Sequence, residues 1–362
     1  MSIPQIYYLM KPRHCIGSMY NTLNIFVIET ELQYLAYTAI RKIQSGNNLS
    51  IIFTTSLRVY NRLCSDGVSC DLVSRKSSGW VGRLIRLRKN LALYKKRILE
   101  LKNDFSEINF HAPRIDNIHN NIVINFLKYN FSLAQVNIRL IPDGAINIFS
   151  CEMSTIKLKK QRKWLSNIGF KLFPDMNYHV YNGDELGADS EVVDKIYCFK
   201  GIETNYPRNK IILIDFPLSS SSRRSSERSV LVIGQNFLQL ATASQSYIDE
   251  VSNEVYRLVS SFSPGRIDYA PHPRSTYNEF GRDEYTVIDD DYLCIEEKIA
   301  GGGYEYIVSC YSSALINSKI MFGDDINTYS IGLDCFPFPD DSQRDKLITA
   351  YQSLGIKVLG LK

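Results

Sequence analysis

Short apolar runs alternate along the chain with longer segments in which the apolar residues have helical spacing. Asn24 to Ile28 forms an apolar run, and helical spacing follows at Leu32, Leu35, Ala36 and Ile40. The next segment, NNLSIIFTTS, predicts another strand. This strand, helix, strand order predicts a βαβ unit and a mainly parallel sheet.

The alternation continues to the end of the chain. NIVINFLKYN and QVNIRLIPDG are predicted as further strands before residue 145. A second series begins with Val230 to Ile233, predicted as a buried strand that runs into Gly234, and SYIDEVSNEVYRLVSSF then has helical spacing. The pattern continues in four further segments, namely RIDYAPHP, YTVID, YEYIVSCYSSALINS and INTYSIGL. The second half therefore repeats the architecture of the first.

A Ser-rich, charged segment separates the two halves. Pro217 to Ser229, PLSSSSRRSSERS, lacks the apolar residues of a core and predicts an exposed linker. We therefore expect two Rossmann-like, doubly wound α/β domains, residues 1–216 and 230–362, joined by the linker 217–229, with the last helix a candidate to pack back on the first domain. Because ligands of such sheets bind at the carboxyl ends of the strands, we expect a central cleft between the domains.

Composition narrows the class of protein only a little. The chain has 42 Lys and Arg against 38 Asp and Glu, and its eight cysteines form no CxxC pair, which indicates reduced thiols. The N-terminus lacks the pattern of a signal peptide, and no apolar stretch approaches the roughly 20 residues that span a bilayer. We therefore expect a cytoplasmic protein whose membrane contact, if any, is peripheral.

Positive charge is concentrated in two segments. Arg75 to Lys102 carries ten basic residues and one acidic residue, with interleaved apolar positions, and Lys157 to Trp164 forms a second basic block. The first segment predicts either a solvated helix face or a surface for anionic lipid at the inner face of the membrane. A nucleic-acid partner is not expected, because no RNA-binding motif or zinc finger accompanies the charge.

Three short motifs fall where the cleft is predicted. A Pro-Asp-Gly turn places Asp143 after one strand, and His272 lies between two prolines that stiffen its backbone. Ser312 and Ser313 follow a strand at a predicted helix start, where hydroxyls and backbone N–H groups can bind a phosphate. Each motif alone is ordinary in proteins of no related function.

Together, the order and spacing of these motifs resemble the bacterial sialyltransferases of the lipooligosaccharide and polysialic-acid types. Those enzymes carry an acidic D/E-D/E-G motif, an HP motif and a paired Ser motif, to which PDG at 142–144, HP at 272–273 and SS at 312–313 correspond. NIFVIETELQYLAYTAI and VLVIGQNF also look like the strands that open the two domains of the family. The resemblance implies the GT-B fold and inverting, metal-independent transfer from CMP-sialic acid without a cofactor.

The resemblance also implies roles for individual residues. Asp143 would accept the proton of the acceptor hydroxyl, and His272 would donate to the departing CMP phosphate. Ser312 and Ser313 would hold that phosphate, and Glu296 would bind the ribose.

Further binding residues follow from the same resemblance. Glu297 is the alternative to Glu296 at the ribose. Pro273 and Arg274 adjoin the catalytic histidine, and Gly234 and Gln235 form the turn that opens the second domain. All four are predicted to contribute to the CMP-sugar site.

Two features leave alternatives open. Pro142 stands where the family has a first acidic residue, so Glu29 at the end of the first strand is the second candidate base. Asp289 to Asp291 is an acidic run that could be mistaken for a metal clamp, and no metal site is predicted there.

The expected function is transfer of sialic acid to a galactoside of a lipid-linked bacterial surface glycan, such as an O-antigen, a lipooligosaccharide or a capsule. A transferase for another CMP-activated acid sugar, Kdo or legionaminic acid, would share the CMP-binding residues. A noncatalytic protein that binds anionic polymer is the alternative from a different class.

Overall fold

The structure is a computed structural model, which describes residues 20–44, 48–74, 79–101, 105–144, 150, 152–153, 155–165, 174–218, 228–237, 243–273, 275, 278–288, 294–338 and 341–361. Most of the predicted linker lies outside these residues, as do Arg274 and Asp289 to Asp291.

A parallel sheet of seven strands forms the first half of the described chain. Its strands are β1 (Thr22–Ile28), β2 (Asn48–Thr54), β3 (Cys70–Leu72), β4 (Glu107–Ala112), β5 (Gln135–Leu140), β6 (Val193–Phe199) and β7 (Ile211–Ile214). They lie in the order β3-β2-β1-β4-β5-β6-β7, and each adjacent pair is parallel. The sequence-based prediction of a doubly wound first half is thus confirmed.

Helices connect these strands and cover both faces of the first sheet. They are α1 (Glu31–Ile43), α2 (Leu57–Ser65), α3 (Gly79–Glu100), α4 (Ile118–Asn130) and α5 (Thr155–Leu165). Alternate residues of β1 show the two faces, because Leu23 and Ile25 enter one buried cluster while Phe26 and Ile28 enter another.

A second parallel sheet, of six strands, forms the other half. Its strands are β8 (Ser229–Ile233), β9 (Arg266–Ala270), β10 (Thr286–Val287), β11 (Tyr306–Ser309), β12 (Asn327–Ile331) and β13 (Lys357–Leu359), in the order β10-β9-β8-β11-β12-β13. The connecting helices are α6 (Gln245–Ser261), α7 (Ile295–Gly302), α8 (Ser313–Phe322) and α9 (Asp341–Ser353). In each sheet the strand order switches sides beside the first strand, between β1 and β4 and between β8 and β11. A crevice forms at such a switch point.

The strand prediction for NIVINFLKYN was wrong, since these residues belong to α4. The run of buried Ile122, Val123 and Ile124 has the composition of a strand, but helical packing overrides that preference. Asn117 caps the helix, and its side chain accepts a hydrogen bond from His119 N at 3.0 Å. The segment is the crossover that β4 and β5 need in order to pair in parallel.

The last helix, α9, buries Leu347 and Tyr351 in the core of the second sheet. The helix also contacts the first half, since Lys346 Nζ donates a hydrogen bond to Ser150 O at 3.3 Å.

Candidate active site

A cavity of about 610 Å³ lies between the carboxyl ends of the two sheets. One side of the cavity, called the first wall, is formed by the loops after β1, β2 and β5. The opposite side, called the second wall, is formed by the loops after β8, β9 and β11. Residues that line the cavity include Glu29, Thr30, Thr55, Ser56, Arg58, Asp143, Gly234, Gln235, His272, Pro273, Glu296, Ser312 and Ser313. The predicted motifs of both halves therefore face one space, where strand ends place them.

Asp143 follows β5 and lies on a tight turn. Gly144 adopts a φ of +80°, which a residue with a side chain would adopt only with strain, and this conformation brings the turn against the second wall. A Cβ atom on Gly144 would lie 3.4 Å from Ser313 Oγ. The acidic turn and the Ser-Ser helix start, 168 residues apart along the chain, are thus in contact.

Gln33 holds the carboxyl group of Asp143. Its side chain is 1% exposed, and its Nε2 donates a hydrogen bond to Asp143 Oδ1. Its Oε1 accepts from Glu29 N at 2.6 Å and from Thr30 N at 3.3 Å. Because Thr30 Oγ1 accepts in turn from Gln33 N, the pair forms a capping box at the start of α1. Gln33 therefore links the end of β1 and the cap of α1 to the predicted base.

The surroundings of Asp143 favour its neutral form. Burial raises the pKa of Asp143 to about 6, and the negative charges of Glu29 and Asp116 act in the same direction. The hydrogen bond from Gln33 and the charge of Arg114 oppose this rise. A carboxyl group with a pKa near 6 can both hold and release a proton close to neutral pH.

Beside Asp143 lies a cluster of half-buried charges. Arg114 binds Asp116 with two hydrogen bonds, and Lys157 Nζ lies 2.7 Å from Asp116 Oδ2. Burial opposes ionisation of Asp116, but the hydrogen bonds and charges of Arg114 and Lys157 outweigh it and lower its pKa. Lys157, from the second basic block, is thus an internal partner of this cluster.

Glu29, the second candidate base, lines the same wall. Asn117 Nδ2 donates to Glu29 Oε1 at 3.3 Å, so the cap residue of α4 also holds this carboxyl group. Both candidate bases thus face the cavity, one on each side of Gln33.

His272 follows β9 on the second wall and forms a turn in which Ser275 N donates to His272 O at 2.9 Å. The strand end lies very close to Gly234, whose N donates to Ala270 O at 2.8 Å. A Cβ atom on Gly234 would lie 2.9 Å from His272 N, closer than such atoms come in proteins. Gly234 therefore provides the space for the backbone that carries His272.

Ser312 and Ser313 begin α8 as predicted. Ser312 is the N-cap, and its Oγ accepts a hydrogen bond from Ala314 N at 3.2 Å. Ser313 is the first helical residue. The helix N-terminus and both serines line the cavity, an arrangement suited to an anion.

Glu296 lies in the first turn of α7 and is 4% exposed. Burial raises its pKa, whereas a hydrogen bond from Asn317 Nδ2 at 2.7 Å opposes the rise. Glu297 instead points toward α2, where its Oε1 lies 3.6 Å from Arg62 Nη2. Gln235 is 9% exposed and lines the cavity on the second wall.

The sequence-based prediction missed Arg58 on the first wall and Gln33, which lies buried behind that wall. The signal for Gln33 was present, because Thr30-Glu-Leu-Gln33 has the spacing of a capping box. Arg58 carried no comparable signal, because only the fold brings the start of α2 to the cavity.

The described residues contain no cluster of three or more His, Cys, Asp or Glu side chains that could hold a metal ion. Within the same residues, no helix combines the length and apolar character needed to cross a bilayer.

Residues 190–330, less than half of the chain, match the alpha-2,8-polysialyltransferase (POLYST) family. This range includes the HP and Ser-Ser motifs and ends before α9. No curated protein sequence matches the chain significantly.

Solved structures are similar over nearly the whole chain. An alpha/beta-galactoside alpha-2,3-sialyltransferase from the luminous marine bacterium Photobacterium phosphoreum has a TM-score of 0.55 at 11% identity, covering 93% of this chain and 98% of that chain. The glycotransferase of kitacinnamycin has a TM-score of 0.50 at 8% identity, covering 94% of this chain and 86% of that chain. A UDP-GlcNAc 2-epimerase from Neisseria meningitidis has a TM-score of 0.50 at 8% identity, covering 94% of this chain and 88% of that chain.

At these identities the structural likeness shows the fold, and it confirms the GT-B architecture that the motifs implied. The family match and this fold also confirm the resemblance that the three motifs indicated. The chain is a glycosyltransferase with the GT-B fold, and its residues 190–330 are similar to the alpha-2,8-polysialyltransferase family.

Proposed function

We propose that the protein transfers sialic acid, with inversion and without a metal, from CMP-Neu5Ac to a hydroxyl of a galactoside on a lipid-linked bacterial surface glycan. One observation carries this proposal above the others. Asp143, with a pKa of about 6, faces a cavity whose opposite wall presents His272 and the Ser312–Ser313 helix start. An acceptor bound beside the first wall would then meet a donor bound on the second.

The first wall supplies the base. Asp143 takes the proton of the acceptor hydroxyl as its oxygen forms a bond to the anomeric carbon of the donor. Glu29 remains the alternative base, since it lines the same wall and is bonded to Asn117.

The second wall supports the leaving group. As the bond from the anomeric carbon to the phosphate oxygen breaks, negative charge builds on the CMP phosphate. Ser312, Ser313 and the N-terminus of α8 hold this phosphate, and His272 donates a hydrogen bond or a proton to it. Glu296 accepts hydrogen bonds from the ribose, with Gly234, Gln235, Pro273 and Arg274 around the donor.

Transfer of another CMP-activated acid sugar, Kdo or legionaminic acid, is the second candidate, because the second wall would bind the same CMP group. The noncatalytic alternative lacks comparable support, since residues 190–330 match a family of transferases.

The test is incubation with CMP-Neu5Ac and a panel of labelled galactosides in the presence of EDTA. We expect CMP release and a labelled product, and both should fall by about 100-fold or more in His272→Ala and Asp143→Ala. Thermal unfolding of each variant controls for loss of the fold. Absence of CMP release from CMP-Neu5Ac with every acceptor would overturn the proposal, and release from CMP-Kdo alone would favour the second candidate.

We place this reaction at the inner face of the cytoplasmic membrane, with α3 as the contact. Exposed cations follow the outer side of this helix, namely Arg88, Lys89, Lys95 and Lys96. Two apolar side chains on its first turns are also exposed, Val81 by 49% and Ile85 by 51%. A helix face that combines cations with exposed apolar groups suits anionic lipid.

Co-sedimentation with phosphatidylcholine vesicles, with and without phosphatidylglycerol, tests this contact. Reversing Arg88 and Lys89 to Glu should reduce binding to the anionic vesicles by about tenfold or more, because each cation near such a surface contributes about 1 kcal/mol. The matched control reverses Lys42 and Arg208, which are exposed on other elements. Equal loss in both double variants would contradict a specific role of α3.

A further inference from the structure

A hydroxyl of the last helix holds the turn that carries Ser312. Tyr351 Oη donates to Ser312 O at 2.9 Å and accepts from Ser312 N at 3.2 Å. Tyr351 is fully buried in the core of the second sheet. One hydroxyl therefore satisfies both backbone groups of the residue that caps α8.

Buried hydroxyl groups also fix the start of the same turn. Ser330, on β12, donates from its Oγ to Cys310 O at 2.6 Å and is 0% exposed. Burial raises the pKa of Tyr351, so that its hydroxyl stays protonated and remains a donor at neutral pH. The turn from Cys310 to Ser312 is thus bonded at both ends by side chains that lie behind it.

This arrangement matters because small rotations of the Ser312 peptide would redirect the groups that face the cavity. Ser312 Oγ is bonded to Ala314 N at 3.2 Å, so the serine side chain and the first turn of α8 move with that peptide. An anion site made of hydroxyls and backbone N–H groups depends on their common direction.

We propose that Tyr351 is a positioning residue for the donor phosphate, acting through the backbone of Ser312. The inference rests on the proposed function, in which Ser312 and Ser313 hold that phosphate. Tyr351 lies beyond residues 190–330, so the family match does not include it. The last helix then belongs to the donor site as well as to the core.

Tyr351→Phe tests this role, because it removes the hydroxyl and keeps the ring. Tyr304→Phe is the matched control, since Tyr304 is 6% exposed and its Oη donates to Asp268 Oδ2 at 2.5 Å, away from the cavity lining. We expect Tyr351→Phe to raise the Kd for CMP and the KM for CMP-Neu5Ac about fivefold while kcat stays within about twofold. Tyr304→Phe should leave all three values unchanged, and both variants should lower the melting temperature by a similar amount.

Unchanged CMP affinity in Tyr351→Phe, with a wild-type protein that binds CMP, would overturn the inference and leave the proposed function intact. Failure of the wild type to bind CMP would instead overturn the proposed donor site. Hydrogen exchange of the Ser312 amide tests the positioning step by itself: faster exchange in Tyr351→Phe alone shows that Tyr351 holds the Ser312 backbone, and equal exchange in all three proteins overturns the inference. If Tyr351→Phe does not fold, Ser330→Ala, which releases Cys310 O at the other end of the turn, replaces it with the same expected direction.

Discussion

The two walls of the cleft control their functional groups in different ways. On the first wall, side chains act on Asp143, through the hydrogen bond from Gln33 and the charges of Glu29 and Asp116. On the second wall, backbone geometry places His272 and Ser312, through prolines, a close glycine and a helix cap. The first wall therefore sets the proton affinity of Asp143, whereas the second wall sets the positions of His272 and Ser312. Substitutions on the first wall should change rates and pH profiles, and those that disturb the backbone of the second wall should change donor affinity.

The largest effect is expected for Asp143→Asn. Loss of the proposed base should lower kcat by about 100-fold to 10,000-fold, because the amide cannot accept the proton of the acceptor hydroxyl. The Asn oxygen can still accept the hydrogen bond from Gln33 Nε2, so the turn should keep its geometry. If Asp143→Asn keeps its activity and Glu29→Gln loses activity, the base is Glu29 rather than Asp143.

The same variant should be more stable than the wild type at neutral pH. The folded-state pKa of Asp143, about 6, lies above the unfolded value near 4, so its carboxyl group lowers stability as the pH rises from about 4 to about 6. We expect a gain of about 1 to 2 kcal/mol in the free energy of unfolding at pH 7.5 and none at pH 4, since cavity water reduces the full effect. Denaturant unfolding at both pH values measures it, and a loss of stability at pH 7.5 would contradict the assignment.

Gly234→Ala should disturb the second wall through steric overlap alone, without a change of charge or hydrogen bonding. The new methyl group would meet Tyr269 Oη at 2.8 Å and His272 N at 2.9 Å, and the backbone atom can yield only if the loop moves. We expect kcat/KM to fall about 10-fold to 100-fold and stability to fall by about 1 to 3 kcal/mol.

Gly301→Ala is the control for this change. Nothing lies within 4 Å of the position of its new Cβ, and the residue is in the last turn of α7. It should keep full activity and lose no stability. If Gly234→Ala behaves in the same way, the second wall does not depend on this close approach.

The second wall was the more predictable from sequence, and the reason is physical. Prolines beside His272 and serines before α8 act on their own neighbours in the chain, so a short motif contains most of the information. The same holds for the Pro-Asp-Gly turn at Asp143. Local chemistry therefore identified residues that the fold then brought to one cavity.

The first wall was less predictable because its contacts join distant segments. Gln33 and Asp143 are separated by 110 positions, and the cluster of Arg114, Asp116 and Lys157 unites two further elements. No local pattern encodes such pairs. The strand prediction for α4 failed for a related reason, since long-range packing decided the form of an apolar run.

Glu296→Gln sharpens the comparison, because Glu296 is the buried carboxyl group of the second wall. We expect about a tenfold loss of CMP affinity and near-equal binding of CMP and 2′-deoxy-CMP, since in the proposed donor site the carboxylate accepts hydrogen bonds from the ribose hydroxyls. Glu297→Gln, which changes the neighbour paired with Arg62, should leave both affinities unchanged. Titration calorimetry with the two nucleotides measures these values. An unchanged preference for CMP in Glu296→Gln would remove Glu296 from the ribose site.

The smallest effect is expected for Gln33→Leu, and it concerns pH rather than maximal rate. In the wild type, kcat/KM should rise with pH and reach half of its plateau near pH 6, where Asp143 loses its proton. The hydrogen bond from Gln33 lowers the pKa of Asp143, so its removal should move this half-point upward by about half to one pH unit. A pH–rate profile with saturating acceptor measures the shift.

Thr30→Val separates this effect from the capping of α1. Thr30 and Gln33 share the capping box, so both variants should lose helix stability of about 1 kcal/mol. Only Gln33→Leu also removes the donor to Asp143, and only it should move the half-point. Equal shifts in both variants would mean that the position of α1, rather than the hydrogen bond, sets the proton affinity of the first wall. A shift in Gln33→Leu alone would show that a residue buried under the wall tunes the base through a single contact.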